Sequence, residues 1–262
     1  MGIASNIADD RHAALAALSW QVEAGVDEVI LDAPVNRYAL AAEAPRPVVA
    51  RAVEAAPFSP IASDPMAEAR ALAAGAGTLA ALRDAIARFD HCELKRGARN
   101  LVFADGNPAA RVLVLGEAPG AEEDREGRPF VGRAGQLLDR MFATIGLART
   151  SPDAASALYI TNVLPWRPPG NRDPEPEEIA MLRPFVERHI ALVNPAVIVV
   201  MGNTPLDALT GQRGILRARG TWTEALGKPL LPMAHPAYLL RNPAAKREAW
   251  ADLLALQARL RG

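Results

Sequence analysis

The sequence has little cysteine, few aromatic residues and almost no lysine. Cys92 is the single cysteine among 262 residues, which excludes an intramolecular disulfide and a metal site built from several thiolates. The histidines show no spacing typical of metal ligands. No apolar run approaches the roughly 18 residues of a membrane-spanning helix, and the N-terminus lacks the apolar core of a cleavable signal. We therefore expect a soluble, cytoplasmic protein with no membrane partner.

The charge balance gives no global sign of a nucleic-acid partner. The formal net charge is -1, from 29 basic and 30 acidic residues. The basic residues are biased, however, because only Lys95, Lys228 and Lys246 are lysines and all the others are arginines. Arginine is the better planar partner for phosphate. The same bias also arises from genomic base composition, so both explanations stay open.

Composition divides the chain into two regions. Residues 10–25 place apolar side chains on one helical face, and the segment 33–65 is rich in alanine and proline, which is typical of a linker. Thr78 follows two glycines and is predicted to cap a helix. We predict an N-terminal extension over residues 1–77 and a compact domain over residues 78–262. The extension is either partly disordered or an arm that binds an unidentified partner.

From residue 100 onward the hydrophobic pattern predicts alternating strands and helices. Four short runs are almost continuously apolar, as expected for strands covered on both faces. They are residues 111–115, 158–163, 196–201 and 229–233. Helical patterns separate them, which implies a parallel sheet with right-handed crossovers. The predicted fold class is α/β, with three layers (α/β/α) and a central, mostly parallel four-stranded sheet.

Residues with useful chemistry follow the ends of these strands. The first strand leads into an acidic loop rich in glycine and proline that begins near Glu117, and the second ends at Asn162. The fourth is followed by His235. Ligands bind at the carboxyl ends of the strands in open α/β sheets. A carboxylate, an amide and an imidazole are therefore expected to converge on one edge.

Three long motifs occupy these strand ends. They are GEAPGAEEDREGRPFVGRAGQLLDRM, TNVLPWRPPGNRDPEPEE and HPAYLLRNP. Together they closely resemble the motifs of the family 4 uracil-DNA glycosylases, over roughly residues 78–260. The resemblance implies a monofunctional enzyme of base excision repair that flips deoxyuridine out of DNA and hydrolyses its N-glycosidic bond. Its partner would be single- or double-stranded DNA containing uracil, and a monomer is the expected state.

The resemblance implies roles in base recognition and leaving-group stabilisation for four residues. His235 would donate to uracil O2, where negative charge develops. Asn162 would accept from N3–H and donate to O4, Phe130 would stack on the ring, and Ala118 would line the pocket. Structural alternatives stay open: a local bond at a strand end for His235, a turn for Asn162 and core packing for Phe130.

Roles in water activation and DNA binding are implied in the same way. Glu123 is the expected water-activating carboxylate, and the predicted catalytic set is His235, Glu123, Asn171 and Glu117. The predicted DNA contacts are Arg167, Arg172, Leu239, Leu240 and Arg241. A leucine of this set would wedge into the base stack. The alternatives are solvated loop charges for the acidic and basic residues, a turn beside Gly170 for Asn171 and helix packing for the leucines.

The sequence departs from the family at the cofactor positions. Typical members hold a four-iron cluster with four cysteines, and alignment by flanking residues puts Phe89, Cys92, Trp166 and Leu182 there. One thiol cannot hold the cluster, so we predict no iron–sulfur cluster, no metal and no other cofactor. A hydrophobic plug would fill the volume, with burial contributing about 1.5–3 kcal/mol for each large side chain.

Two other functions stay open from the sequence. Loss of the cluster would also suit a non-catalytic protein that binds uracil or abasic DNA. A hydrolase or transferase acting on a small phosphorylated nucleotide is the second alternative, although the acidic loop lacks a Gly-Lys-Ser/Thr pattern. The retained carboxylates, Asn162 and His235 favour the glycosylase.

Overall fold

The computed structural model describes residues 64–261 and, before them, Leu15 alone. Apart from that residue, the helix predicted over residues 10–25 and almost all of the predicted linker lie outside the described residues. Pro60–Gly262 forms one compact unit, and the description below concerns this unit.

The helices of the described part are α1 (Pro65–Gly75), α2 (Leu79–Arg88), α3 (Leu94–Gly97), α4 (Ala121–Glu126), α5 (Arg133–Ala143), α6 (Pro176–Val193), α7 (Asn203–Thr210), α8 (Ile215–Ala218), α9 (Pro236–Arg241) and α10 (Lys246–Arg261). The strands are β1 (Ala104–Gly106), β2 (Val112–Gly116), β3 (Leu158–Asn162), β4 (Val197–Met201), β5 (Thr223–Ala225) and β6 (Lys228–Met233). Short 3-10 turns occupy Pro169–Asn171 and Pro243–Ala245. None of the described helices is long and apolar enough to cross a membrane.

The strands form one sheet in the order β1-β3-β2-β4-β6-β5. Its four central strands are parallel and coincide with the four apolar runs, which confirms the predicted α/β fold. The sheet nevertheless has two strands more than predicted, because β1 and β5 add antiparallel edges. Each edge strand has three residues and lies largely outside the core, so neither leaves an apolar run in the sequence.

Helices cover both faces of the sheet, as predicted. Alternate side chains of a strand point to opposite faces, and β2 shows this directly. Leu113 and Leu115 pack in one apolar cluster with α1, α2, α6 and α7, whereas Val112 and Val114 pack in another with α5 and α10. The result is the three-layer arrangement, with the sheet buried between two helical layers.

The first helices show where the compact unit begins. The hydroxyl of Thr78 accepts from the backbone N–H of Ala81 at 3.1 Å, so Thr78 caps α2 as predicted. Ala69 and Ala73 of α1 are also buried, in the cluster that contains α6. The compact unit therefore extends N-terminal to the boundary proposed at residue 78. The buried residues of α1 are small alanines, so its apolar pattern is too weak for the sequence to assign α1 to the compact domain.

Candidate active site

A cavity of about 340 Å³ lies where β2, β3 and β6 end. The predicted residues that line it are Glu117, Ala118, Glu123, Phe130, Asn162, Asn171, Arg172, His235 and Arg241. Parallel strands deliver their carboxyl ends to the same edge of a sheet, which is why motifs far apart in sequence meet here. The structure thus brings together the predicted catalytic and base-reading residues.

Gly116 is the last residue of β2, and the side chains of Asn162 and Phe130 both pack against its backbone. A Cβ atom at Gly116 would overlap Asn162 Oδ1 and would lie 2.5 Å from a ring carbon of Phe130. Any side chain at this position would displace both groups. Glycine is therefore required here by close approach.

Asn162 carries an unsatisfied acceptor. The residue is 7% exposed, and its Oδ1 is the only buried side-chain polar atom of the described residues without a hydrogen-bond partner. Such an atom typically costs about 1–3 kcal/mol, which a ligand N–H reaching it would offset. The cavity is therefore suited to a ligand that donates a hydrogen bond to Asn162.

Phe130 is held in a strained backbone conformation. Its φ of 52° lies in the left-handed region, which costs a residue other than glycine about 1–3 kcal/mol. Arg149 holds this turn by donating to the carbonyls of Pro129 and Phe130, both at 2.9 Å. The Arg149 guanidinium is itself fixed by Asp105 at 3.0 Å and Asp139 at 2.8 Å. No sequence pattern indicates this role for Arg149, because its partners come from three separate segments.

His235 caps the N-terminus of α9 and is fixed in one tautomer. Its Nδ1 accepts from the backbone N–H of Ala237 at 3.1 Å, so the proton of the neutral ring resides on Nε2. Burial, helped by the charge of Arg241, lowers the pKa of His235 to about 4, and Glu123 opposes the shift. The ring centroids of His235 and Phe130 lie 5.5 Å apart. At neutral pH the cavity therefore contains an uncharged N–H donor.

The carboxylate of Glu123 is engaged by its own loop. Oε1 accepts from the backbone N–H groups of Val131 and Gly132, at 2.9 and 2.8 Å. Oε2 accepts from the backbone N–H of Gly120 at 3.1 Å. The Glu123 carboxylate, which the sequence favours for water activation, thus already accepts hydrogen bonds from three backbone N–H groups. This geometry gives Glu123 a structural task, closing the loop that carries Phe130.

Glu117 has fewer partners. Its Oε2 accepts from the hydroxyl of Thr204, in α7, at 2.6 Å. Burial raises the pKa of Glu117, the Thr204 hydrogen bond opposes this, and the charge of Asp173 adds to the rise. One carboxylate oxygen is left for a water molecule or substrate. Thr204 itself was missed from the sequence, since it belongs to none of the three motifs.

The polar rim residues differ in how much of their hydrogen-bonding capacity is already used. The exposed Asn171 accepts from Arg167 Nε at 2.8 Å. The Arg172 guanidinium makes two hydrogen bonds to Glu178, at 3.0 and 2.5 Å. Arg241 is exposed and lines the cavity. Arg167 and Arg241 are therefore better placed than Arg172 to meet a phosphate.

The prediction that Leu239 contacts DNA is wrong. Its side chain is 0% exposed and packs with Leu137, Ala234 and Ala249. Most of the HPAYLLRNP motif forms helix α9, and on this helix Leu239 faces the core. Leu240 is partly buried against the same cluster. Of the two leucines, only Leu240 retains exposed surface.

The residues at the aligned cluster positions do not fit a four-thiolate iron–sulfur cluster. All four are buried in one apolar cluster: Phe89, Cys92, Trp166 and Leu182. Burial raises the pKa of the Cys92 thiol, which favours its protonated form. Phe89 also packs edge-on against Phe185, with ring centroids 5.3 Å apart. Within the described part of the chain, no group of three or more His, Cys, Asp or Glu residues is placed to hold a metal.

Comparison with known proteins places this cavity in a family. The sequence matches the model of the Uracil DNA glycosylase superfamily over residues 103–254, more than half of the chain. The chain belongs to this superfamily. The match runs from just before β1 into α10, so it contains every residue named above as lining the cavity.

Individual superfamily members are similar over much of their length. A Type-4 uracil-DNA glycosylase of Thermotoga maritima is 42% identical over 154 residues, which cover 58% of this chain and 77% of that protein. A Type-4 uracil-DNA glycosylase of Archaeoglobus fulgidus is 38% identical over 170 residues, 62% of this chain and 82% of the relative. A Type-5 uracil-DNA glycosylase of Thermus thermophilus is 31% identical over 135 residues, 48% and 61% respectively.

Proposed function

We propose that this chain is a uracil-DNA glycosylase that initiates base excision repair. The Type-4 relatives are named for this activity, and the superfamily match includes the whole cavity. The observation that carries the proposal is the pairing of groups inside it. Asn162 Oδ1 lacks a donor, and His235 presents Nε2–H. Uracil offers N3–H to the first and the O2 carbonyl to the second.

Catalysis rests on the charge that develops as the glycosidic bond breaks. The transition state has a cation-like sugar and an anionic uracil, and water supplies the oxygen that ends on the sugar. His235 donates Nε2–H to uracil O2 as negative charge grows there. Loss of one preorganised donor of this kind typically costs about 3–4 kcal/mol. A neutral imidazole suits the task, because it stabilises the anion without first having to gain a proton.

Base recognition falls to residues around Gly116. Asn162 accepts from uracil N3–H and donates its amide to O4, so cytosine presents the wrong pattern at both positions. Phe130 stacks on the flipped ring. Ala118 lines the cavity beside them.

Water positioning is assigned to Glu117. Its carboxylate has one side-chain donor, Thr204, whereas three backbone donors hold Glu123. Glu123 acts as a positioning residue, through the loop that it closes. Asn171, on the rim, contributes to holding water or substrate.

The partner is DNA containing uracil. Arg167 and Arg241 are proposed to contact its phosphates, Arg172 to contribute more weakly because Glu178 engages it, and Leu240 to touch the base stack. We propose a monomer acting in the cytoplasm. A partner for the N-terminal extension remains a separate hypothesis.

The function is tested by cleavage of a labelled oligonucleotide. We expect purified protein to release uracil from single-stranded DNA and from duplexes with uracil opposite adenine or guanine, leaving alkali-labile sites. The matched oligonucleotide with thymine in place of uracil should stay intact. Binding to uracil DNA without release would support the non-catalytic alternative instead. Release of uracil or phosphate from free deoxyuridine nucleotides, with DNA untouched, would support the nucleotide hydrolase.

We also propose that the enzyme works without an iron–sulfur cluster. Protein purified anaerobically is expected to contain no stoichiometric iron or acid-labile sulfide and to release uracil at full rate after treatment with a chelator. The physical reason is that Phe89, Trp166 and Leu182 supply no ligand and occupy buried, apolar positions. Stoichiometric iron with sulfide, in protein whose activity falls when it is removed, would contradict this.

A further inference from the structure

A second cavity, of about 500 Å³, lies beside the uracil cavity. Arg99, Arg125 and Arg167 line it, together with Asp124 and Ala121. The two cavities meet in sequence at α4, where Gly120 lines the first and Ala121 the second. A hydrogen bond also joins their edges, from Arg167 Nε in the second to Asn171 Oδ1 in the first, at 2.8 Å. The two cavities are therefore adjacent.

The guanidinium groups of the second cavity are weakly compensated. Among the described residues, neither Arg99 nor Arg167 has a carboxylate within salt-bridge distance, and Arg125 has only Glu126 at 3.7 Å. Arg172, by contrast, lies within 2.5 Å of Glu178. The cavity is thus positive on balance, with charge available to an anion.

The one acidic residue of this cavity has a structural task. Asp124 is buried, and its Oδ1 accepts from the backbone N–H groups of Arg99 and Asn100 at 2.8 and 3.1 Å. Asn100 in turn donates to the backbone carbonyls of Asp124 and Arg125, at 2.7 and 3.2 Å. These bonds tie the segment that carries Arg99 to the helix that carries Arg125. Both arginines therefore extend from a fixed base, which lowers the entropic cost of binding an anion with them.

We propose that this cavity binds a backbone phosphate of the DNA strand whose uracil occupies the neighbouring cavity. The proposal rests on the proposed function and deepens it by adding Arg99 and Arg125 to the DNA contacts. A guanidinium donates two parallel hydrogen bonds to phosphate oxygens, and the negative phosphodiester charge is opposite in sign to the surplus of positive groups in the cavity. The contact fixes the position of the strand relative to the flipped nucleotide and carries no sequence information.

The test removes the charge of this contact first on the DNA and then on the protein. Uracil-containing single strands are made with each flanking phosphate in turn replaced by a neutral methylphosphonate. In the wild type, one position is expected to lower kcat/KM about tenfold, the size of a charge-assisted hydrogen bond. The double variant Arg99→Gln/Arg125→Gln should lose about the same factor on the unmodified strand and lose nothing more at that position. Its single-turnover rate at saturating enzyme should stay within about twofold of wild type, since neither side chain touches the reacting atoms.

A matched control removes the same charge elsewhere. Arg70→Gln/Arg83→Gln, on the exposed surfaces of α1 and α2, should keep the wild-type methylphosphonate pattern. Binding to uracil-free single strands gives an independent measure. There the slope of log affinity against log salt should fall by roughly 0.7 for each phosphate that the cavity variant no longer neutralises, beyond any change in the control.

The outcomes separate this proposal from the glycosylase function. Normal uracil release with additive effects at every methylphosphonate position would overturn the phosphate site alone, as would equal salt slopes for the cavity and control variants. A wild type that releases no uracil would overturn the function, and the binding measurement would still decide on the cavity.

Discussion

Replacing His235 with alanine is expected to lower kcat for uracil release by about 10²- to 10³-fold, the typical effect of losing one preorganised donor at a developing anion. KM should change little, because the hydrogen bond from Nε2 to O2 strengthens mainly as the bond breaks. Single-turnover cleavage of a uracil-containing single strand, followed by alkali, measures the chemical step directly.

A second histidine supplies the matched control. His91 is only partly buried and pairs with Glu68 at 2.8 Å, outside the cavity. His91→Ala should therefore release uracil at the wild-type rate, with both variants folded by circular dichroism. Equal rates for wild type and His235→Ala would show that the leaving group is stabilised by something other than this imidazole.

The same prediction has a consequence for pH. The pKa of His235 is lowered to about 4, so the ring is already neutral across the range in which an ordinary histidine, with a pKa of about 6.5, loses its proton. Uracil release should hold its rate from pH 8 to about pH 6, since no change of His235 charge occurs there. A fall centred near pH 6.5 that disappears in His235→Ala would contradict a donor that is neutral throughout this pH range.

The sequence predicts the centre of the sheet well and its edges poorly, for a physical reason. β2, β3 and β4 are buried along their whole length. Because both faces of these strands are buried, their residues are almost all apolar, and the sequence shows a continuous apolar run. β1 and β5 have three residues each, and their hydrogen bonds are made by backbone groups that any sequence provides. Edge strands of this kind can be identified only once the strands that they pair with are placed.

The same distinction applies to the candidate site. Asn162 and His235 could be placed together from sequence, because parallel strands necessarily end on one edge. Asn162 ends its strand and His235 follows its own by two residues. The division of work between Glu117 and Glu123 could not be predicted. It depends on the backbone N–H groups of Gly120, Val131 and Gly132, which the returning loop brings to Glu123.

Two further features were beyond any local pattern. Arg149 fixes the turn at Phe130, but its four partners lie in β1, α5 and the turn itself. The sequence motif predicts a DNA contact for Leu239. In the six-residue helix α9 it instead faces the core. Successive residues of a helix are rotated by about 100°, so which leucine is buried depends on how the whole helix packs.

Replacing Asn162 with aspartate is expected to lower kcat/KM for uracil by about 10²- to 10³-fold, as for an unpaired buried polar or charged group. The aspartate keeps an acceptor for N3–H but loses the donor to O4 and faces that oxygen with negative charge. Cytosine presents an amino donor where uracil presents O4. The ratio of kcat/KM for uracil over cytosine should therefore fall by more than the loss on uracil alone. Parallel assays with oligonucleotides that differ only in this base measure the ratio.

Asn194→Asp is the matched control, because it makes the same change at an exposed helix end where the Asn194 oxygen accepts from Lys228. It should leave both rates unchanged. An Asn162→Asp enzyme that kept the wild-type rate on uracil and still ignored cytosine would show that the base edge is read elsewhere. The unsatisfied Oδ1 would then carry an energetic cost that no substrate offsets. Gly116 would still leave room for the Asn162 and Phe130 side chains at the end of β2. A coupled loss on uracil and gain on cytosine would instead show that the Asn162 amide group reads position 4 of the ring, where the two pyrimidines differ.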